Sequence, residues 1–209
     1  MTSFHVDDFP HRLPHPPERL NVYDGLILNA ERWEVSQSYF RHRQNLLFQA
    51  SNQSGIVCGL GVKVIEPPIW SRSSIQAQDA RRHEQRWLEI QPGVAIDAIG
   101  NPIVVDKGTE RDRPFRMAKP SPASGSLIVY IVARYGEPRK TTNNGKPDII
   151  HERYSFEAQT DPPKREDVEL CRIQLKPGPV RLSLPHDIFS PSPGELDFRY
   201  RQFVHAKPT

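Results

Sequence analysis

Two hydrophobic rhythms divide the chain. From Ala30 to about Ala50 large apolar residues recur at helical spacing, with Trp33, Phe40 and Leu47 seven apart and Ser36, Gln44 and Phe48 on or beside the same stripe. Glu34, Gln37, Arg41 and Arg43 fall between them, and Asn29 is placed to cap the first turn, so the pattern predicts one partly exposed amphipathic helix. After Asn52 the period becomes two. Ile56, Cys58, Leu60, Val62 and Val64 are predicted to share one face of a strand ended by Pro67-Pro68, with Gly59 and Gly61 on the other face where something bulky approaches closely.

A small antiparallel meander is predicted next: Arg86 to Gln91, Val94 to Ala98 and Pro102 to Asp106, separated by turns at Pro92-Gly93 and Gly100-Asn101. Ser126 to Tyr135 is apolar for long enough to be a central strand. Glu152 to Thr160 and Val168 to Leu175 complete the strand set, the latter alternating Leu170, Arg172 and Gln174 against Cys171, Ile173 and Leu175. The predicted fold is mainly β, of the α+β kind: an antiparallel sheet, small barrel or sandwich with one N-terminal helix.

Prolines set the domain plan. There are 21 in 209 residues, about twice the usual share, with 12 glycines. That composition excludes a helical bundle. Pro10, Pro14, Pro16 and Pro17 make residues 1–20 an extended N-terminal arm, and a Pro-rich segment 176–209 reads as a second arm. Between them lies a helix-plus-sheet domain over 21–175, carrying a polar insertion at 70–85 and a linker at 107–125.

Charge and chemistry narrow the function by subtraction. Lys plus Arg total 28 against 25 Asp plus Glu, a net +3, too small and too dispersed for a nucleic-acid footprint even with Arg41-His42-Arg43 on the helix. No run approaches the length of a membrane span, and the first residues lack the apolar core of a secretory signal, so a cytoplasmic product without membrane insertion is expected. Cys58 and Cys171 both lie in apolar runs and read as core thiols. His5, His11 and His15, with His42 and His83, have no fixed geometry for a metal, Glu89 and Asp97 fall on different strands, and the glycines lack a phosphate-loop context. No cofactor, metal or catalytic residue is assigned, and the expectation is not an enzyme. Asp97 is placed to accept turn hydrogen bonds near Gly100.

Linked in order, YDGLILNAERWEVSQSYFRHRQNLLFQ, SGIVCGLGVKVI and WLEIQPGVAIDAIGNPIVV resemble a family of small baseplate-associated proteins of contractile phage tails and phage-tail-like contractile injection systems. Asp24-Gly25 matches the start of that pattern and Tyr39-Phe40 its helix pair. Gly55, Gly59 and Leu60 lie in its first strand, and Pro92, Gly93, Asp97 and Gly100 in its hairpin. YIVARY, His151-Glu152-Arg153-Tyr154 and VELCRI look like later strands, with Cys171 where the pattern has alanine. The resemblance spans about Val22 to Leu175. It implies a structural subunit of a baseplate or its outer shell, working as a homo-oligomer with other baseplate proteins inside a particle that is free or membrane-associated. The alternative is a surface- or carbohydrate-binding module of a tail fibre, for which Trp33, Trp70 and Trp87 are the aromatic candidates; Trp33 is expected in the core, and Trp70 in an exposed loop.

Overall fold

The computed structural model describes residues 17–68, 84–107, 114–136 and 152–205. The residues divide into two compact units, Met1–Phe48 and Gln49–Thr209.

The first unit holds an extended entry segment and most of α1 (Ala30–Ser51), the single helix among the described residues. Asn29 caps it as the sequence predicts: its Oδ1 accepts from the Arg32 N–H at 2.9 Å and its carbonyl from the Trp33 N–H at 3.0 Å. Glu31 places negative charge in the first turn, where the helix dipole favours it. The expected burial of one face does not occur. No residue of α1 is buried, and Trp33, expected in the core, is 57 % exposed. The reason lies in the spacing: Val35 and Tyr39 form a half-covered side, while Trp33, Phe40 and Leu47 fall on another, with Phe48 beside them and Gln37, Arg43 and Gln44 interleaved. The apolar residues are thus split between two faces instead of forming one broad stripe.

The second unit is β-structure in three antiparallel sheets, none of them a closed barrel. Its strands are β1 (Gly55–Gly59), β2 (Val62–Val64), β3 (Trp87–Ile90), β4 (Gly93–Ile96), β5 (Pro102–Val105), β6 (Pro114–Arg116), β7 (Leu127–Gly136), β8 (Arg153–Gln159), β9 (Asp167–Leu175) and β10 (Leu196–Asp197). The sheet orders are β1-β4-β5, β2-β3-β6 and β10-β9-β7-β8. β7 is internal to the largest, as its continuous apolar run requires.

The single strand predicted over 56–64 is two strands, and the meander is not one sheet. β1 pairs with β4 while β2 pairs with β3, so the ribbon bends at the same level in both arms. Gly59 (φ +66°) and Leu60 (φ +54°) are both left-handed, which turns the first arm sharply. Pro92-Gly93 turns the second, so it is a corner between sheets and not a hairpin turn. Across the bend, the Leu60 N–H donates to the Pro92 carbonyl (3.2 Å) and the Gln91 N–H to that of Gly61 (2.7 Å). What approaches the glycines is therefore the other arm: a Cβ on Gly59 would run into the Pro92 carbonyl, and one on Gly93 into the Leu60 amide.

Two bulges shift the phase of the burial pattern. One in β1, between Ile56 and Cys58, leaves Ile56 buried but turns Cys58 to solvent, correcting its expected place in the core. The other lies opposite Ile131/Val132 and lets Leu170 and Cys171 both be buried, where simple alternation puts them on opposite faces. Val129, Ile131, Leu170, Ile173, Leu88 and Ile103 are among the residues of one continuous core.

The segment expected to be a C-terminal arm packs on its own unit over the described residues up to 205. Its prolines deny it long strands, yet Val180, Leu182 and Leu196 are buried. Gln85 exchanges backbone bonds with Val180 and Leu182 (2.9 Å each), β10 pairs with β9, and Ile56 bonds Gln202 and Val204 (2.8 and 3.0 Å). The segment thereby touches the entry to β3, the β9 edge and β1. The Arg201 guanidinium lies near the rings of Phe198 and Phe203 and donates to the Gly59 and Leu60 carbonyls at 3.2 and 3.0 Å, tying the segment to the bend.

Candidate interaction surfaces

The residues singled out in the sequence separate into structural pivots and surface groups. Asp24 and Gly25 form the middle of a turn closed by the Leu26 N–H on the Tyr23 carbonyl (3.1 Å). Gly55, Gly59, Leu60, Pro92 and Gly93 build the ribbon and its bend; a Cβ on Gly55 would meet the Gln202 carbonyl at 2.6 Å. Asp97 is fully buried and organises the β4–β5 turn. Its Oδ1 accepts from the N–H groups of Ile99, Gly100 and Asn101 (2.8, 2.8 and 2.9 Å), and its Oδ2 from the Asn101 side-chain amide (3.0 Å). Gly100, at φ +99°, supplies the backbone turn that lets three successive amides converge on one oxygen. These positions hold the chain.

Tyr39 and Phe40 do reach a surface. Their rings meet edge-on, with centroids 5.4 Å apart, beside a cleft of about 400 Å³ lined also by Arg19, Leu20, Val22 and Ser36. On the same helix Trp33, Phe40 and Leu47 are 57 %, 61 % and 63 % exposed. Single exposed apolar residues are ordinary; here three large ones recur at constant spacing.

In the second unit a charged cleft of about 260 Å³ runs beside β9, lined by Lys164, Arg165, Asp167, Glu169, Arg172 and Tyr200 among others. Its acidic groups are each held by an arginine. Asp167 bonds Arg134 (2.6 Å), Gln159 (3.1 Å) and the Lys164 N–H (2.8 Å). Burial alone would raise its carboxyl; the Lys164 amide, the Arg134 guanidinium and Gln159 outweigh that and hold it below the ordinary aspartate value. Arg172 is pushed up by its hydrogen bond to Glu169 and stacks 3.5 Å from the Tyr200 ring centroid. Such mutually locked pairs fix side chains of β7, β8 and β9 relative to one another. The sequence reading missed this network because its members come from β7, β8, β9 and the C-terminal segment.

A third surface is the loop carrying Leu184, Ile188 and Phe189, all exposed. Asp187 Oδ1 accepts from the Phe189 N–H (2.9 Å), and Arg199, paired with Asp197, donates to the Phe189 carbonyl (2.9 Å). An apolar pair flanked by His-Asp and Ser-Pro was the available signal.

Of the tryptophans considered as ligand platforms, Trp87 is buried and Trp70 lies outside the described residues. His5, His11, His15 and His83 are also outside them, as are residues 1–16, most of the 70–85 insertion and 108–113 of the linker. Among the described residues no cluster of His, Cys, Asp and Glu could hold a metal ion, and no helix is long and apolar enough to cross a membrane. Comparison with protein-family models, with curated proteins and with solved structures finds no match to the chain.

Proposed function

We propose that the chain is a non-enzymatic structural subunit of the baseplate, or of its peripheral shell, in a contractile injection system or phage-like tail. The observation that carries the assembly role is α1: a 22-residue helix with no buried residue that displays Trp33, Phe40 and Leu47. A helix of this length gains little stability from its own backbone in water, and tertiary or quaternary burial of an apolar face is the usual source. The assignment to a contractile particle comes from the linked sequence motifs. Those of the second unit coincide with its bent ribbon (Gly55 to Val62 and Pro92 to Val105) and with β7 and β9.

The structure alters how such a subunit would assemble. Because residues 176–205 are occupied within their own unit, they are not available as a free C-terminal arm. The contacts in the proposal come from α1 and its entry segment, with other baseplate proteins and with further copies of the chain as partners, inside a cytoplasmic particle.

The test is co-fractionation. An epitope-tagged chain expressed in its native host should co-sediment with sheath-bearing particles and label their baseplate end by immunogold. Intact particles that form normally without the chain, and never carry it, would refute the proposal.

A further inference from the structure

We infer that the charged cleft beside β9 binds a tetrahedral oxyanion, a phosphate or sulfate group that is either free or the ester of a small molecule. The cleft is lined wholly by residues of the second unit, and this role for it stands apart from the baseplate reading.

The two carboxylates of the cleft are already occupied. The side chain of Asp167 is fully buried, its Oδ1 bonded by the Arg134 guanidinium at 2.8 and 2.6 Å and its Oδ2 by the Gln159 amide and the Lys164 N–H. Both oxygens of Glu169 are held by Arg172. Neither acid is placed to hold an incoming cation without giving up an arginine.

The cations are not all matched in this way. Lys164 and Arg165 line the same cleft, and among the described residues neither side chain has an ion pair or a hydrogen bond. With Arg134 balancing Asp167 and Arg172 balancing Glu169, these two leave the cleft with an excess of positive charge. Glu166, the next residue in the chain, does not line it.

The backbone under the two free cations is fixed in advance. Lys164 follows Pro162-Pro163, whose rings restrict the approach to the turn. Its N–H donates to Asp167 Oδ2 at 2.8 Å and its carbonyl accepts from the Asp167 N–H at 3.1 Å. The Arg165 carbonyl accepts from the Ala98 N–H at 3.0 Å, which ties the turn to the β4–β5 loop. The buried cluster of Arg134, Asp167 and Gln159 thus holds a rigid turn that carries two unpaired cations, and little backbone order is left to be lost when a ligand arrives.

The other walls add donors. Ser54 comes from the entry to β1, Arg172 from β9, and Tyr200 and Gln202 from the C-terminal segment. Arg172 uses Nε and one amino group on Glu169, which leaves Nη1 for an oxygen of the ligand. Donors on several walls suit a group with oxygens in four directions better than a planar carboxylate. At about 260 Å³ the cleft is smaller than sites that enclose a whole cofactor, so it takes a head group. A second cleft of about 200 Å³, with Gln174, Ser192 and Asp197 in its lining, shares Arg172 and Tyr200 with the first and gives an ester room for its remainder.

The experiment is an ¹H–¹⁵N NMR titration of the purified full chain with sodium phosphate to about 50 mM, ionic strength held constant with sodium chloride. Saturable shifts are expected at the amides of Gly55, Ala98, Lys164 and Arg165. Lys164→Ala and Arg165→Ala should each weaken binding about three- to ten-fold, and the double variant should lose saturation, all with an unchanged thermal midpoint. Lys164→Arg should bind as the parent does. Glycerol phosphate binding more tightly than inorganic phosphate identifies the ligand as an ester, and the reverse order identifies the free ion; either supports the site. Shifts that rise linearly without saturating, shifts reproduced by chloride alone, or a double variant that binds like the parent would overturn it. The titration needs no particle, so its failure leaves the co-sedimentation test of the baseplate reading intact.

Discussion

Removing the Asp97 carboxylate should be among the most damaging single changes in the β-unit. In Asp97→Ala, three backbone amides and one side-chain amide lose their acceptor at once. Charge-assisted bonds of this kind contribute about 1.5–3 kcal/mol each, a gross sum of roughly 6–12 kcal/mol. Part of that is recovered. The Gly100 amide retains the Asp97 carbonyl (3.1 Å), and the amides of Ile99 and Asn101 lie near enough to the surface to bond water. The variant also no longer buries a charge. A net loss of about 3–4 kcal/mol remains, equivalent to roughly 10 °C in Tm for a chain of this size. The assay is urea unfolding followed by far-UV circular dichroism, with an expected midpoint shift of about 1.5 M and an unchanged slope. Asp97→Asn keeps an acceptor for the backbone but sets its NH2 against that of Asn101, for a loss of about 2 kcal/mol. Adding Asn101→Asp reverses the polarity of that contact and should recover about 1 kcal/mol. A midpoint shift below about 0.5 M for Asp97→Ala would refute the claim that this carboxylate holds the turn.

Other outcomes follow from the same geometry. Gly59→Ala combines a left-handed backbone with a Cβ driven into the Pro92 carbonyl, and should lower stability by about 3 kcal/mol or more in the same urea assay. Leu196→Ala should cost about 2–4 kcal/mol, a value a dangling arm could not produce. Native protein should show one thiol to a water-soluble disulfide reagent, Cys58, and a second only on unfolding, since burial encloses Cys171 and pushes its thiol up. Asp167 is lowered in the folded state, so its contribution is complete above the unfolded value of about 3.9 and lost as pH falls through the folded one. Thermal midpoints recorded from pH 5 to 2 should fall less steeply in Asp167→Asn than in the parent.

The sequence contained the local elements and lacked their phase. Asn29 announced the start of α1 and the apolar run at 127–135 announced a central strand, because each signal is made by neighbouring residues. Cys58 and Leu170 were misplaced by bulges, which insert one residue and leave no mark in a two-residue rhythm. The split of β1 from β2 was hidden because Leu60, a residue of strand character, adopts a left-handed conformation held by the opposite arm and by Arg201. The proline content of 176–205 correctly predicted irregular backbone, but irregular backbone on the surface of a sheet reads the same as irregular backbone in solvent. At the surface, the seven-residue spacing of Trp33, Phe40 and Leu47 was visible as a pattern; that it faces outward was not, since a periodic stripe says which residues share a side and not what covers it.

The lacing of the C-terminal segment over β1, β3 and β9 also governs how the chain is made. A ribosome adding about 5–20 residues per second needs on the order of ten seconds after Ile56 appears to deliver Gln202, its bonding partner. Throughout that interval the carbonyls at the Gly59–Leu60 bend lack Arg201, and β9 lacks the short strand that covers its edge. A nascent chain therefore waits with an open sheet edge, the form most prone to pairing with a neighbour on the same message. Chains cut short before Leu196 would keep that edge open, so completion of the β-unit depends on the last residues to be made.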